Sequence, residues 1–405
     1  MSYYDLSASD YASEEDDESQ ASDNREDHFA RIPSDNIDHL WTRSIVHVDV
    51  DCFYCQCEQV DGPPDYRERP LAIGQKHIVV TCNYLARALG VKKLQSKIDA
   101  VRICPSLLIL DGSDLERYRR HSRNIYLNFR NEIKSMANDL GVFTSVRKGS
   151  MDEAFADLTN LVTAVIKQKR RQNTPSATYV YGNDLNETSV LTEDQSGAQT
   201  IVHAHYRASA SENAHVHYGS DRKRRECQER LECAASIAEH VRNVIHETLG
   251  FTTTMGISVS PMLSKLSSDL KVRSPSFAYH PSSTIFRTTK TNTPFQKPNS
   301  LNILFPWRSG SLIPFMPLGK IPELGHGTLK ALQVCLAGTH DGITPASWTC
   351  RHLIHVPRHE ILASLEQMKS FEKSRFVHCL LGVASCHGSL LSTHSDLVIN
   401  NAPCC

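Results

Sequence analysis

The stretch IVHVDVDCFYCQCE, residues 45–58, decides how the rest of the chain is read. Its opening, Ile45-Val46-His47-Val48, is apolar and rich in β-branched residues, the composition of a short buried strand. Asp49 and Asp51 follow, one residue apart, and on a strand side chains two apart share a face. Like charges side by side are tolerated where a cation lies between them or where both are solvated. Phe53 and Tyr54 then start the first turn of a helix. Alone, the pattern fits a cation-binding strand end and a solvated strand end, and other parts of the chain must decide between them.

The chain has 405 residues, enough for roughly two to four domains. It is 40% hydrophobic and 22% charged, which supplies apolar material for real cores. No run approaches the ~20 apolar residues of a membrane span. The acidic, polar start is not the text of a secretory signal, and 13 irregularly spaced cysteines suit a reducing compartment better than a disulfide scaffold. Charge is unevenly distributed. Residues 1–38 hold 12 Asp/Glu against 2 Lys/Arg, and the remainder holds 33 against 42. The acidic stretch is expected to be disordered, and the basic body suits a protein that meets a polyanion.

Along the chain, Leu71–Gly74 and His77–Thr81 read as two short strands, and Cys82–Arg87 has helical spacing closed by Gly90. Thr81, Tyr84 and Arg87 recur at i, i+3 and i+6, which brings a hydroxyl, a phenol and a guanidinium toward one side of a helix start. That set is a phosphate cradle or an ordinary amphipathic turn. Pro105–Leu110 reads as a strand and Asp114–Lys134 as a helix whose basic face (Arg117, Arg119, Arg120, Arg123) is solvated or lies on a nucleic-acid backbone. Ser150–Leu158 is an alternating strand interrupted by Asp152 and Glu153. Adjacent strand residues face opposite ways, so a bulge or turn must re-aim one carboxylate if both serve a site. Together with Asp49, and with the backbone carbonyl of Val50, they offer the oxygen ligands that hard divalent cations take, the apparatus of in-line phosphoryl transfer.

Residues 161–225 read as an insertion, with Arg222-Lys223-Arg224-Arg225 either a localisation signal or a solvated run. Glu226–Gly250 is an amphipathic helix, Thr252–Ser258 a strand and Pro261–Leu270 a helix. The alternation indicates an α/β or α+β sheet domain. Residues 274–311 read as linker or loop, 320–329 as a helix–hairpin–helix-like segment, and 353–369 as helical. Cys52, Cys55 and Cys57 have no second Cys or His pair at zinc spacing and read as small helix-packing residues.

Three segments in one order, IVHVDVDCFYCQCEQV, VVTCNYLARALGVKKL and SMDEAFADLT, resemble the Y-family translesion DNA polymerases. The likeness is strong over about residues 44–160, moderate over 226–270 and loose near 320–335. It implies an α+β right-hand fold. The palm would be 39–64 and 137–290, the fingers 65–136, and a linker of 291–311 would lead to a helical thumb at 312–370 and an irregular tail at 371–405. Asp49, Asp152 and Glu153 would be the catalytic carboxylates, holding two magnesium ions (or manganese) with the Val50 carbonyl. Tyr54 would gate against the ribose 2′-hydroxyl, and Asp51 would support from behind. Thr81, Tyr84, Arg87 and Lys271 would bind the nucleotide triphosphate, and Gln75 and Ile78 would lie near the templating base. The implied partners are primer–template DNA, deoxynucleoside triphosphates, and a replication clamp or other repair factors, for a monomer in the nucleus with no membrane contact.

Two features depart from the family's pattern. A lysine before a Pro-Asn pair is usual after the Pro261–Leu270 helix. Here that register falls on Val272, leaving Lys271 or Arg273 to substitute. The 35 residues after Ser370 do not read as the strands of a DNA-gripping domain, so weak DNA grip is expected. The competing readings are a DNA-binding scaffold built on a polymerase core and, more distantly, a nucleotide-cyclase-like enzyme.

Overall fold

The computed structural model describes residues 41–172, 179–181, 188–193, 199–204, 221–269, 298–306, 318–321 and 329. In chain order the strands are β1 (Ile45–Val50), β2 (Leu71–Gln75), β3 (Ile78–Cys82), β4 (Leu108–Asp111), β5 (Ser145–Lys148), β6 (Glu153–Asp157), β7 (Tyr179–Tyr181), β8 (Thr188–Glu193), β9 (Gln199–Ala204), β10 (Thr253–Ser258) and β11 (Leu301–Ile303). The helices are α1 (Phe53–Asp61), α2 (Tyr84–Ala88), α3 (Lys97–Ile103), α4 (Leu115–Asp139), α5 (Thr159–Gln172), α6 (Asp221–Leu249) and α7 (Pro261–Asp269). The fold is α+β, as expected, and no helix among the described residues is long and apolar enough to cross a membrane.

Two sheets organise these elements. The large one is mixed, in the order β5-β6-β1-β10-β11-β9-β8-β7, and the small one runs β3-β2-β4. β1 lies inside the large sheet, antiparallel to β6 and to β10, with Asp49 opposite Glu153 on one side and Thr254 on the other. Its apolar residues are buried on both faces because helices cover the sheet. Val46, Val48 and Val50 join one core with Leu231, Val241 and Ile245 of α6 and Leu263 and Leu266 of α7. α7 lies directly on β10 because Gly256 has no side chain. A Cβ there would come within 2.0 Å of the Ser264 carbonyl oxygen and 2.5 Å of the Ser268 nitrogen. Gln56 fastens α1 to the start of β10. Its amide donates to the Thr252 carbonyl at 2.9 Å and accepts from the Thr252 N–H at 2.7 Å. The small sheet has its own core, in which Ala72, Val79 and Cys82 pack against Ala86 of α2 and Ala100 of α3.

Several expectations change. Residues 161–225 are not all insertion: α5 runs through Gln172, with Leu161, Val162 and Ile166 buried, and α6 already starts at Asp221. The linker text at 291–311 contains β11, which is short but fully buried and hydrogen-bonds in parallel to β10. α4 falls almost wholly within 65–136 yet packs on the large core through Tyr118, Ile125, Phe129 and Ile133. Its Arg117 is paired with Glu58 and lies 3.5 Å from Asp61, and Arg119 lies 3.7 Å from Glu116, so that basic face is partly neutralised from within. The acidic stretch 1–38, the segment 353–369 and the tail after Ser370 lie outside the described residues, as does most of the hairpin-like segment at 320–329.

Candidate active site

The end of β1 opens onto a cleft of about 190 Å3 between the two sheets. One wall is acidic, formed by Asp49, Asp51 and Asp152 with Val50. The facing wall is polar and basic, formed by Thr81, Tyr84, Arg87 and Lys93. Tyr54 and Phe53 at the start of α1 line it as well.

The acidic wall has a local explanation. β1 delivers Asp49 at its last turn of pleat, and the chain then bends sharply, with Cys52 in the left-handed region at φ 38 as the N-cap of α1. Asp152 precedes β6 in a tight turn in which the N–H groups of Gly149 and Ser150 both donate to the Glu153 carbonyl, at 2.8 and 3.1 Å. The Val50 N–H donates to the Asp152 carbonyl at 2.9 Å, and the Ser150 hydroxyl donates to the Asp152 carboxylate at 2.6 Å. That turn is the device that re-aims Asp152 into the cleft.

Glu153, the first residue of β6, is not among the lining residues. Its carboxylate is held by Lys265 of α7 at 2.7 Å and lies 3.9 Å from His47 Nε2. Burial works to raise this carboxyl, but the His47 contact and the Lys265 charge outweigh it and bring it down to about 2. Burial also pulls His47 below its ordinary value despite Glu153. His47 is therefore neutral at pH 7, and the permanent positive charge beside Glu153 is Lys265.

Asp51 is 1% exposed and fully engaged in structure. It accepts from the Tyr84 hydroxyl at 3.2 Å, the Thr254 hydroxyl at 2.7 Å and the Asn299 N–H at 2.7 Å. Asn299 in turn is anchored by Arg242, whose guanidinium donates to its carbonyl at 2.9 Å. This agrees with a supporting role for Asp51 behind Asp49.

On the basic wall, Asn83 caps α2 by accepting from the Ala86 N–H at 3.0 Å, which fixes Tyr84 and Arg87 on its first turns. Arg87 donates from Nε to the Cys82 carbonyl at 2.9 Å and stacks over the Tyr84 ring at 4.7 Å. No carboxylate among the described residues pairs with its guanidinium, which lines the cleft. Tyr54 donates its hydroxyl to Met151 Sδ at 3.6 Å and meets the Tyr118 ring edge-on at 4.6 Å, so its orientation is set from behind. Lys93 is the lining residue that sequence reasoning passed over. It stood in the run Lys92-Lys93, and only the return of residues 94–97 along β3 carries it to the cleft.

Gln75 and Ile78 do not line the cleft. They pair with each other at the turn end of the β2–β3 hairpin, with Gln75 donating to the Gly112 carbonyl at 2.6 Å. Lys271 and Arg273 lie outside the described residues. Among the described residues no three His, Cys, Asp or Glu side chains close into one metal-ligand cluster. The donor set still fits a hard cation, because Asp49 and Asp152 enter one cleft and Glu153 faces Asp49 across the sheet. Thiols offer no alternative. Cys55 and Cys57 are buried at 0% exposure, and burial pushes both thiols up.

Comparison with known proteins identifies the family. Residues 48–269 match the model of the impB/mucB/samB family. DNA polymerase iota of Mus musculus is 31% identical over 302 residues, 74% of this chain and 33% of that protein. DNA polymerase eta of Drosophila melanogaster is 26% identical over 301 residues, 72% of this chain and 30% of that protein. DNA polymerase IV of Vibrio vulnificus (strain YJ016) is 35% identical over 125 residues, 29% of this chain and 31% of that protein. The chain thus spans about a third of the length of these relatives. The family match covers more than half of the chain and takes in the strand, the basic helix start and the second acidic strand, so the chain belongs to the impB/mucB/samB family, that of the Y-family polymerases.

Proposed function

We propose that this chain is a template-directed DNA polymerase of the translesion type, adding deoxynucleotides to a primer 3′-hydroxyl by phosphoryl transfer. The observation that carries the reading is the cleft's polarity: Asp49 and Asp152 on one wall face Arg87 and Lys93 on the other. A nucleotide triphosphate approached by a hydroxyl nucleophile needs both walls. Relatives named as DNA polymerases iota, eta and IV support the same activity.

In this reading the large sheet is the palm, the small sheet with α2 and α3 the fingers, and residues 312–370 the thumb. Thr81, Tyr84 and Arg87, with Lys93 and Lys271, hold the triphosphate. The Tyr84 hydroxyl is committed to Asp51, so its ring positions Arg87 while Arg87 contacts the phosphates. Tyr54 closes the sugar end of the cleft, and Gln75 and Ile78 roof the templating base. Asp49, Asp152 and Glu153, with the Val50 carbonyl, would hold two magnesium or manganese ions, and Glu153 would have to leave Lys265 to join them. Such ions, when bound, neutralise charge on the attacking and leaving oxygens. A nuclear, monomeric protein acting with a replication clamp or other repair factors fits the same reading.

One observation favours a second reading. Glu153 is tied to Lys265 rather than lining the cleft, as in a core that binds DNA without turning over. Primer extension by the full chain, with magnesium or manganese, separates the two. Extension supports the polymerase, and DNA binding without extension supports the scaffold.

A further inference from the structure

α1 opens on a C-x-x-C sequence, Cys52-Phe53-Tyr54-Cys55, with the first cysteine as its N-cap and the second closing its first turn. The Cys55 N–H donates to the Cys52 carbonyl at 2.8 Å, which fixes that turn. Positions three apart on a helical turn have Cα atoms about 5 Å apart, within the roughly 4.4–6.8 Å that a disulfide spans. The side chains meet as well. The Cys55 thiol lies within hydrogen-bonding reach of the Cys52 sulfur, and both pack with Leu71 and Ile73 of β2. The Cys52 side chain makes no capping hydrogen bond, so its sulfur is not committed to the helix end.

The two thiols are unequally placed. Six of the seven described cysteines are buried, and Cys52 is the half-buried one, lining the cleft beside Asp51 and Tyr54. Cys55 is fully buried behind it, and burial holds it as a thiol. An oxidant in the cleft therefore meets Cys52 first, with the partner for a bond already in contact. Two other cysteines are close in sequence or in space. Cys57 belongs to the large core, whereas Cys55 belongs to the small cluster on β2. Cys82 comes near the pair, but its thiol is turned to the Val91 carbonyl at 3.7 Å.

We propose that Cys52 and Cys55 form a dithiol–disulfide pair, an oxidation site in the wall of the cleft whose co-reactants are a hydroperoxide and a reducing dithiol. In the first step the Cys52 sulfur attacks the hydroperoxide. The O–O bond breaks, Cys52 becomes a sulfenic acid, and the other oxygen leaves as an alcohol (water, for hydrogen peroxide). In the second step the Cys55 sulfur displaces the sulfenic oxygen, which takes the Cys55 proton and leaves as water. The pair of sulfurs gives up one electron pair, and the peroxide gains it. A dithiol reductant returns both thiols and is itself oxidised to a disulfide. Closing the bond draws the Cys52 sulfur off the cleft wall and ties down the turn that carries Tyr54. Oxidation should therefore weaken nucleotide binding. The bond stands apart from the polymerase reading, and only its effect on the nucleotide rests on that reading.

Mass spectrometry of the full chain tests it. The chain is treated with hydrogen peroxide, its remaining thiols are blocked with N-ethylmaleimide, and the peptide holding residues 52–55 is analysed. That peptide should carry no N-ethylmaleimide on Cys52 or Cys55 and should be lighter by two hydrogens. Dithiothreitol before blocking should restore both thiols. Cys55→Ala should stop at the Cys52 sulfenic acid, which dimedone traps, and Cys52→Ser should leave Cys55 reduced. A parent in which both thiols stay open to N-ethylmaleimide once unfolded, or in which Cys52 is joined to Cys82, overturns the proposal. In single-nucleotide extension, peroxide should raise the parent's KM for the deoxynucleotide several-fold and leave that of Cys52→Ser unmoved. A bond that forms without moving KM overturns its effect on the cleft. A bond that forms in a chain that never extends a primer, even when reduced, would sink the polymerase reading alone.

Discussion

Asp51 and Asp49 have the same chemistry two residues apart, and their surroundings give them different work. Three donors converge on Asp51, from Tyr84, Thr254 and Asn299, and fix a junction of four chain segments. Asp51→Asn replaces one acceptor oxygen with a donor facing other donors. It should lower unfolding free energy by about 1–3 kcal/mol in urea denaturation. Glu153 supplies a pH signature. Its folded-state value is about 2, below the ordinary 4.5, so the stabilisation it contributes is complete above about 4.5 and is lost as pH falls toward 2. Lys265→Met removes the permanent charge that acts alongside the His47 contact in holding Glu153 down, so its stability should change less than the parent's across that window when followed by thermal melting. At Tyr54, the wall is fixed by Tyr118 and Met151. In the polymerase reading, Tyr54→Ala should raise ribonucleotide over deoxyribonucleotide incorporation by roughly tenfold or more, read in single-nucleotide extension.

At the scale of elements, the contact between β10 and α7 leaves no room for a side chain at Gly256. Gly256→Ala would push a methyl group into the backbone of α7, where no side chain can move aside. It should cost on the order of 3 kcal/mol, seen as a lower denaturation midpoint, while Ser264→Ala should cost much less. β1, α1, α4, α6 and α7 were legible in the sequence because each carries its own period or run: β-branched residues for β1, and three-to-four spacing of apolar residues for α6. β11 was not, because Leu301–Ile303 has only three residues and is a strand only through its bonds to β10 and β9, both far earlier in the chain. The start of α6 was placed too late because Asp221–Arg225 is a charged run with no apolar period, and the helix there is carried by the apolar stripe that follows. Asp49, Asp152, Thr81, Tyr84 and Arg87, singled out in the sequence, do line one cleft, but Lys93 joins them only through the fold, and the detour of Glu153 to Lys265 depends on a contact 112 residues apart in sequence.

For the whole molecule, the large sheet supplies carboxylates, the small sheet supplies cations, and the cleft exists because β1 ends where β3 and α2 face it. In the polymerase reading, neither half carries out phosphoryl transfer alone. The most direct measurement of that claim is primer extension by the full chain in magnesium or manganese, comparing the parent with Asp152→Ala/Glu153→Ala under matched DNA binding. The parent is expected to extend the primer, and the double variant to lose at least about a hundredfold in rate. Extension by the double variant at the parent's rate would contradict the claim.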